Sequence, residues 1–308
     1  MSRTALEPMV CACGLTITPR DRPPGSAPAA SSYETCLYQC ECGRGYSNSS
    51  DPRKRTCIVK SPELNAPHEV RAGLEPILAH SLNQLNIPSK RAKFCFSTSE
   101  DAVTWTIFRW LESEGRLSAV GSAVGEPAPA DTPELLLWGA PTRPEAEHLR
   151  DELVQVLDHL GERRLRRSEP DVILAWPSLL VFIEVKYRSP NDRQPNYANF
   201  ARYLDRADLF TVRPDEVAET GFYELVRNWR IGAQLAEETN RDFLLINLGP
   251  KSLATDEAQL RPALATSPAR RFVTLSWGDL LGSFRESGPR PEWITTFIES
   301  RQLDTVWA

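Results

Sequence analysis

Two short runs of branched and aromatic residues near the middle of the chain have the hydrophobic pattern of paired, buried strands. The first run covers residues 172–174 and the second covers 179–183, with Pro177 and Ser178 between them. Such runs, separated by turn residues, predict two strands joined by a tight hairpin. Because polar residues do not alternate with the apolar ones, both faces of these strands are expected to be buried.

Other segments of the chain have either the hydrophobic period of a helix or that of a strand. Apolar residues at 102–111 follow Ser99, Glu100 and Asp101, and a hydroxyl residue ahead of acids predicts a helix N-terminus here. The other predicted elements are helices over 144–160 and 223–236, strands over 242–248 and 272–276, and terminal helices near Leu280 and Trp293. This is an α/β order of elements.

Charged residues mark the ends of the two paired runs. Asp171 precedes the first run, and Glu184 and Lys186 close the second with Val185 between them. Side chains two positions apart on a strand share a face, so Glu184 and Lys186 are predicted to point the same way. Asp171 enters the neighbouring strand and can meet them. Lone charges at the edge of an apolar sheet would be costly, so the trio is a candidate site.

Two carboxylates and an ammonium group at one place have a chemical use. Asp171 and Glu184 can hold Mg²⁺, or Mn²⁺ in its place, while leaving positions for water and a phosphate. The backbone carbonyl of Val185 is a further candidate ligand. A metal held in this way polarises a phosphoryl oxygen and activates water, and Lys186 can orient that water or offset charge on the phosphorus.

The trio resembles the motif of the PD-(D/E)XK nucleases, a family with the restriction-endonuclease-like fold. The resemblance rests on a Pro-Asp pair ending at Asp171 and, thirteen positions later, on Glu184-Val185-Lys186; it covers about residues 95–250. It implies an α/β core with a central mixed sheet flanked by helices. It also implies a Mg²⁺-dependent deoxyribonuclease that hydrolyses DNA phosphodiester bonds.

The resemblance implies roles for further residues. Glu100 becomes an auxiliary acid and candidate metal ligand, with Asp101 as the less favoured choice. An acid in a first helical turn also has an ordinary role, since it favours the helix dipole. In this family the helix after the lysine strand often lies near the site, so Arg227, Asn228 or Gln234 could contact phosphate.

Two other interpretations of the trio stand beside this one. Glu184 and Lys186 could form a solvated ion pair on a surface hairpin, worth at most about 1 kcal/mol. The five apolar residues directly before Glu184 favour a buried strand instead. The chain could also be a non-catalytic nucleic-acid-binding or protein-binding module on a nuclease-like fold. For an active enzyme, the resemblance suggests restriction and antiviral defence against foreign DNA, or DNA repair.

Six of the seven cysteines precede residue 60, which in a reducing compartment suggests a metal more than disulfides. A Cys-X-Cys-Gly pattern occurs twice, with its thiols at Cys11, Cys13, Cys40 and Cys42. Four thiolates from two tight turns could close a tetrahedral structural zinc site. Cys36 and Cys57 could replace members of the first pair, and free thiols or an iron–sulfur cluster are open alternatives. Cys95 is predicted to be a small buried hydrophobe.

These patterns divide the chain into three parts. Residues 1–60 form a cysteine-rich module, 61–94 a helical connector and 95–308 the nuclease-like domain. A Pro-, Ala- and Ser-rich stretch at 19–32 separates the cysteine groups and predicts a flexible link. The length of 308 residues suits one large domain with a small additional module.

Composition places few further limits on the function. With 41% hydrophobic and 25% charged residues the chain is an ordinary globular protein. No apolar run approaches the roughly 20 residues of a membrane helix, and the N-terminus lacks a secretory apolar core. We therefore expect a cytoplasmic protein without a membrane partner. Two symmetry-related sites could each cut one DNA strand, so a homodimer is a further hypothesis.

The net charge of −5 counts against tight, non-specific binding of nucleic acid. Arginines are nevertheless concentrated around the trio in the sequence, which favours phosphate contacts. They are Arg163, Arg164, Arg166, Arg167, Arg188, Arg193, Arg227, Arg230 and Arg241. A solvated helix end is the alternative explanation of the first four.

Overall fold

A computed structural model of the chain describes residues 7–21, 30–49, 55–125, 131–191, 199–253, 257–284 and 288–303. Its strands are β1 (Met9–Val10), β2 (Thr16–Ile17), β3 (Tyr38–Gln39), β4 (Arg44–Tyr46), β5 (Cys57–Val59), β6 (Glu134–Leu137), β7 (Ala140–Pro141), β8 (Val172–Ala175), β9 (Leu179–Val185), β10 (Asp242–Gly249) and β11 (Arg270–Ser276). Its α-helices are α1 (Leu74–His80), α2 (Ile87–Phe94), α3 (Glu100–Ser113), α4 (Ala119–Ala123), α5 (Glu147–His159), α6 (Pro214–Glu219), α7 (Tyr223–Glu238), α8 (Trp277–Ser283) and α9 (Glu292–Arg301).

The centre of the protein is a six-stranded sheet with the strand order β11-β10-β9-β8-β6-β7. The strands β9, β10 and β11 run parallel, whereas β8, β6 and β7 continue the sheet by antiparallel pairing. Parallel neighbours need a crossover connection, and α7 lies between β9 and β10 in the chain. The expected mixed sheet flanked by helices is therefore confirmed.

The hairpin that positions the predicted trio is formed by β8 and β9. Val172 lies opposite Ile183, and Ala175 lies opposite Leu180. Every residue of both strands is buried, which explains why their sequences are continuous apolar runs. The alternative of a solvated surface hairpin is therefore wrong.

The sheet carries a hydrophobic core on each of its faces. Residues of α3, α8 and α9 belong to the core on one face, and residues of α5 and α7 belong to the core on the other. Along β9, Val181 and Ile183 point to the first core, while Leu180 and Phe182 point to the second. Because side chains alternate along a strand, Glu184 lies on the face covered by α7.

The main helices and strands predicted from the sequence are confirmed as α3, α5, α7, β10 and β11, with β11 at one edge of the sheet. A single turn of 3₁₀-helix, Pro144–Ala146, precedes α5. The helix α3 begins at the predicted residue because Ser99 Oγ accepts a hydrogen bond from the backbone N–H of Ala102 at 3.2 Å. None of the helices in the described ranges has the combination of length and apolar character that crossing a bilayer requires.

The cysteine-rich module is built from two small sheets. The strands β1 and β2 form an antiparallel hairpin, and β3, β4 and β5 form a three-stranded antiparallel sheet. Its small core, which includes Cys11, Ile17 and Tyr38, is separate from the two cores of the main sheet. Of the predicted flexible link, residues 22–29 lie outside the described part of the chain.

The predicted connector is helical, as expected. It contains the 3₁₀-helices Pro62–Asn65 and His68–Val70, followed by α1 and α2. Leu74, Leu78 and Phe94 belong to the core on the α3 face of the main sheet. The connector therefore contributes to the packing of the large domain.

Candidate active site and cysteine cluster

The predicted trio meets at the carboxyl end of β9. Lys186 Nζ donates a hydrogen bond to Glu184 Oε1 at 2.6 Å, which confirms that these two side chains share a face. Asp171 stands directly before β8, and its Oδ2 accepts a hydrogen bond from the backbone N–H of Val185 at 2.8 Å. The hairpin pairing thus brings residues from two neighbouring strands to one end of the sheet.

Glu100 reaches the same place from the N-terminus of α3. Its Oε2 accepts hydrogen bonds from the backbone N–H of Tyr187 at 2.8 Å and from the Ser189 hydroxyl at 3.2 Å. Its Oε1 lies 3.9 Å from Lys186 Nζ. Asp101 belongs to a different environment, since burial raises its pKa and Lys90 is its strongest charged neighbour. The preference for Glu100 over Asp101 therefore fits the geometry.

The helix α7 supplies two further polar residues. Glu224 Oε2 accepts a hydrogen bond from Lys186 Nζ at 2.8 Å, and Asn228 Nδ2 donates to Glu184 Oε2 at 2.8 Å. Glu224 was not among the residues predicted from the sequence, and Asn228 was expected to contact phosphate rather than a carboxylate. A signal was present, because residues four positions apart on a helix lie on the same side.

Burial changes the protonation of the carboxyl groups. It raises the pKa of Glu100 and of Asp171 to about 7, and the pKa of Glu184 to about 8. A carboxylate loses hydration in this position, and the ammonium group of Lys186 offsets only part of that loss. These groups are therefore poised to release protons near neutral pH.

Lys186 and Arg227, the two cations of the site, keep their charge, whereas burial favours the neutral form of the carboxyl groups. Burial disfavours the charged form of Lys186, but Glu184 and Glu224 outweigh it and raise the pKa of the ammonium group. Burial likewise opposes the charge of Arg227, and the same two carboxylates raise its pKa. Both cations stay charged, yet with Glu100 and Asp171 there are four carboxylates, so full ionisation leaves an excess of negative charge.

The carboxylates do not form a closed cage. In the part of the chain that the structure describes, no three of them bring oxygens within 4.8 Å of one another. The ammonium group of Lys186 lies between Glu184 and Glu224 instead. The arrangement is a buried, oxygen-rich site in which the carboxylates surround two cations, Lys186 and Arg227.

The four predicted cysteines do converge. The ligand sulfurs of Cys11, Cys13, Cys40 and Cys42 all lie within 4.8 Å of one another. Cys11 Sγ lies 3.7 Å from Cys42 Sγ, and Cys13 Sγ lies 3.4 Å from Cys40 Sγ. Zinc–sulfur bonds of about 2.3 Å at tetrahedral angles separate sulfurs by about 3.8 Å. The cluster could therefore bind a structural metal such as Zn²⁺.

Two matching tight turns place these sulfurs. The backbone N–H of Gly14 donates to the Cys11 carbonyl at 2.8 Å, and that of Gly43 donates to the Cys40 carbonyl at 2.9 Å. Gly14 and Gly43 have φ angles of 90° and 85°, which a residue with a side chain rarely adopts. The glycine after each cysteine pair is therefore required by the turn.

The thiols of the cluster differ in acidity. Burial opposes ionisation of Cys11, but hydrogen bonds from the Cys13 backbone and the Tyr46 hydroxyl lower its pKa to about 6. A backbone hydrogen bond from Cys42 favours the Cys40 thiolate, yet desolvation and hydrogen bonds to neighbouring sulfurs raise its pKa to about 12. A divalent cation would allow all four thiols to ionise together.

The other cysteines lie outside the cluster. Burial raises the pKa of Cys36 to about 12 and the pKa values of Cys57 and Cys95 to about 11, so they stay thiols. Neither Cys36 nor Cys57 replaces a member of the group of four. Cys95 is partly rather than fully buried and packs against Cys36 and Ile58.

Three of the nine arginines near the trio in sequence pair with other groups. Arg167 pairs with Asp158, Arg230 donates to Asp205 at 2.8 Å, and Arg241 donates to the Trp176 carbonyl at 3.0 Å. Arg163, Arg164 and Arg166 are exposed, and Arg193 lies outside the described residues. Arg227 has the carboxylates of Glu184 and Glu224 as its strongest charged neighbours.

Comparisons of the chain with family models, with curated proteins and with solved structures found no match.

Proposed function

We propose that the protein is a metal-dependent nuclease that hydrolyses DNA phosphodiester bonds. The observation that carries this proposal is the meeting of Asp171, Glu184, Lys186 and Glu100 at one end of a mixed sheet. The chain order α3, β6, β8, β9, α7, β10 supports it, because this is the order expected of a restriction-endonuclease-like core. The resemblance in sequence and the element order are separate arguments for the same family.

The donor set suits a hard divalent cation. Mg²⁺ and Mn²⁺ prefer oxygen donors, and Mg²⁺ in particular binds one or two carboxylates together with waters and a substrate phosphate. Asp171 and Glu184 would hold the ion, with Glu100 and the Val185 carbonyl as further donors. The excess of buried negative charge supports this fit. Bound there, the cation would supply Lewis acidity toward a phosphoryl oxygen and acidify a water.

The chain's own groups would perform the remaining tasks. Lys186 is held between Glu184 and Glu224, so its ammonium group can position the attacking water and offset negative charge on the phosphorus. Asn228 fixes the orientation of Glu184 through its second oxygen. Glu100 is fixed by the backbone N–H of Tyr187. Each of these hydrogen bonds reduces the reorganisation needed at the moment of reaction.

The test is cleavage of supercoiled and nicked circular DNA by the wild type and by Lys186→Met, with Mg²⁺, Mn²⁺ or EDTA. Lys90→Met is the matched control. Lys90 and Lys186 are both 6% exposed, and Lys90 Nζ also pairs with a buried carboxylate, that of Glu169, at 2.8 Å. Lys90→Met therefore reproduces the loss of stability that follows from removing a buried ammonium group, and it leaves the residues of the candidate active site unchanged.

We expect the wild type to cut DNA with Mg²⁺ or Mn²⁺ and not with EDTA. Lys186→Met should lose at least about 100-fold in rate, the scale of one charge-stabilising group. Lys90→Met should keep cleavage wherever it is folded. Equal cleavage rates in the wild type, Lys186→Met and Lys90→Met, or cleavage that persists in EDTA, would contradict the proposal of a metal-dependent nuclease.

A non-catalytic binding module on a nuclease-like fold is the second candidate. The observation in its favour is the arrangement of carboxylates around Lys186, with no three oxygens close together in the described residues. In that case the wild type and Lys186→Met would be equally inert on DNA and RNA. Both would still bind nucleic acid or a partner protein.

The remaining assignments are proposals on the same footing. We propose that the cysteine cluster holds Zn²⁺ as a structural ion. Restriction and defence against foreign DNA, or DNA repair, in the cytoplasm are the roles that the resemblance favours. A homodimer would allow both DNA strands to be cut.

A further inference from the structure

A cavity of about 440 Å³ lies between the cysteine-rich module, the connector and α9. Sites for small molecules have volumes of about 300–1,000 Å³. Arg44 of the module, Arg71 of the connector and Arg301 of α9 line this cavity. Neither an aspartate nor a glutamate is among its described lining residues. The cavity is therefore positively charged and distinct from the carboxylate site.

The three arginines lack carboxylate partners in the described part of the chain. Arg301 is 8% exposed and donates to Asn65 Oδ1 at 2.6 Å and to the Ser97 carbonyl, while its buried Nε has no hydrogen-bond partner among the described residues. Arg71 donates to the Ala66 carbonyl at 3.1 and 3.3 Å and to no other group within the described ranges. Arg44 and Arg71 are partly buried, and Arg44 also donates to the Cys42 sulfur at 4.0 Å, so Arg301 is the buried guanidinium of the three. A buried cation without a carboxylate partner is costly, so the cavity attracts an anion.

Aromatic side chains complete the lining. Trp293 and Phe297 of α9 and Tyr46 of β4 contribute to the walls. The Arg301 guanidinium lies 5.2 Å from the centroid of the Phe297 ring. Arginine forks bind phosphate oxygens, and aromatic rings stack on bases. The combination matches one nucleotide unit, a phosphate with its base.

The cavity is close to the candidate active site. Ser97 is on its wall, and Glu100 follows three residues later, a separation of at most about 11 Å along an extended chain. A second cavity of about 370 Å³ is lined by Thr98, Ser99 and Glu100. Tyr187 connects the candidate active site to the arginine-lined cavity. Its backbone N–H donates to Glu100, and its hydroxyl donates to the Arg301 carbonyl at 2.7 Å.

We propose that the arginine-lined cavity binds one phosphate and its base in a nucleic-acid strand, at a point outside the cleavage site. The phosphate chemistry rests on the arginines and the aromatic rings. The choice of a strand rather than a free nucleotide rests on the proposed nuclease function. In this arrangement the cysteine-rich module helps to hold the substrate, since it supplies Arg44 and Tyr46.

The experiment measures fluorescence anisotropy of a labelled single-stranded DNA oligonucleotide with the full-length protein, without added divalent cation. The variants are Arg71→Met and Trp293→Leu, which lie on different elements. Arg270→Met is the control, because Arg270 at the start of β11 is partly buried and donates to the backbone carbonyls of Ala265 and Asp208. Arg270 also lies 3.8 Å from Glu237, and it is not among the described lining residues of the cavity. Unlabelled adenosine monophosphate and inorganic phosphate serve as competitors.

We expect Arg71→Met and Trp293→Leu each to weaken binding by about 10-fold, the scale of one charged contact or one stacked base. The slope of log Kd against the logarithm of the salt concentration should decrease by about 0.7 in Arg71→Met, because one phosphate contact is lost, and should stay unchanged in Trp293→Leu. Arg270→Met should bind like the wild type. The oligonucleotide should bind more tightly than either competitor.

The outcomes separate this proposal from the nuclease proposal. If both cavity variants bind the oligonucleotide like the wild type, the cavity is not a nucleic-acid site, even if the protein cuts DNA. If adenosine monophosphate binds and the oligonucleotide does not, the strand is the wrong ligand. If both cavity variants bind the oligonucleotide more weakly but the wild type cuts no DNA, the cavity is a nucleic-acid site and the nuclease proposal is wrong.

Discussion

Glu184 is the most constrained residue of the candidate site. It is 3% exposed, one carboxylate oxygen accepts from Lys186, and the other accepts from Asn228. Burial nevertheless raises its pKa to about 8, and the negative charges of Asp171 and Glu224 beside it add to this increase. A group with such a pKa makes the stability of the metal-free protein depend on pH.

We predict that the free energy of unfolding of the metal-free wild type decreases from about pH 5 to about pH 9. An unfolded glutamate releases its proton near pH 4.3, whereas folded Glu184 keeps it up to about pH 8. Its contribution to stability is therefore complete below about pH 4 and is lost as the pH rises through about 8.

Glu184→Gln should show a shallower decrease in urea unfolding across this range. The exposed acid Glu219 at the end of α6 provides the control, and Glu219→Gln should keep the wild-type slope. Parallel curves for the wild type and Glu184→Gln would show that Glu184 is ionised in the folded protein at all of these pH values.

The N-terminus of α3 links a local folding signal to the site. Ser99 caps the helix, and the next residue, Glu100, is directed toward Tyr187 and Lys186. Capping satisfies a backbone N–H that would otherwise lack a partner at the helix start. The cap therefore stabilises the helix and also fixes the position of an acid.

We predict that Ser99→Ala lowers the free energy of unfolding by about 1 kcal/mol and also lowers the rate of DNA cleavage. Ser276→Ala is the matched control, because Ser276 caps α8 by accepting from the Asp279 backbone N–H at 3.0 Å. It should cost similar stability in urea unfolding and leave cleavage unchanged. Equal losses of cleavage in both variants would mean that the cap affects only overall stability.

At the scale of the whole molecule, the described residues around the cysteine cluster have a small core of their own. The module core is separate from the cores on the two faces of the main sheet. Backbone hydrogen bonds between Cys57 and Ser97 and between Val59 and Cys95 join β5 to the segment before α3. If the cysteine cluster binds the proposed ion, we expect the stability of this small module, with its few buried residues, to depend on the ion more than that of the main sheet and its two cores.

We predict that Cys40→Ser combined with Cys42→Ser abolishes binding of one zinc ion per chain, as measured by elemental analysis. The main cooperative unfolding transition should persist, because the large cores are intact. Cys57→Ser combined with Cys95→Ser is the matched control and should retain zinc, since neither thiol belongs to the cluster. Wild-type protein that carries no metal when purified without chelators would exclude the structural ion.

Much of the fold could be predicted because the signals are local. The hairpin of β8 and β9, the start of α3 and the face shared by Glu184 and Lys186 depend on residues within a few positions of one another. The same applies to the two glycine turns of the cysteine module. Glu224 was missed because its partner, Lys186, is 38 positions away in sequence.

The order of residues by itself determined the elements, the polar trio and the repeated cysteine pattern, since period, capping and turn chemistry act over short stretches of chain. Only the tertiary structure decided which four cysteines converge and which arginines near the trio pair elsewhere. It also decided that three distant arginines line one cavity. These features depend on contacts between segments far apart in sequence, which packing of the cores brings together.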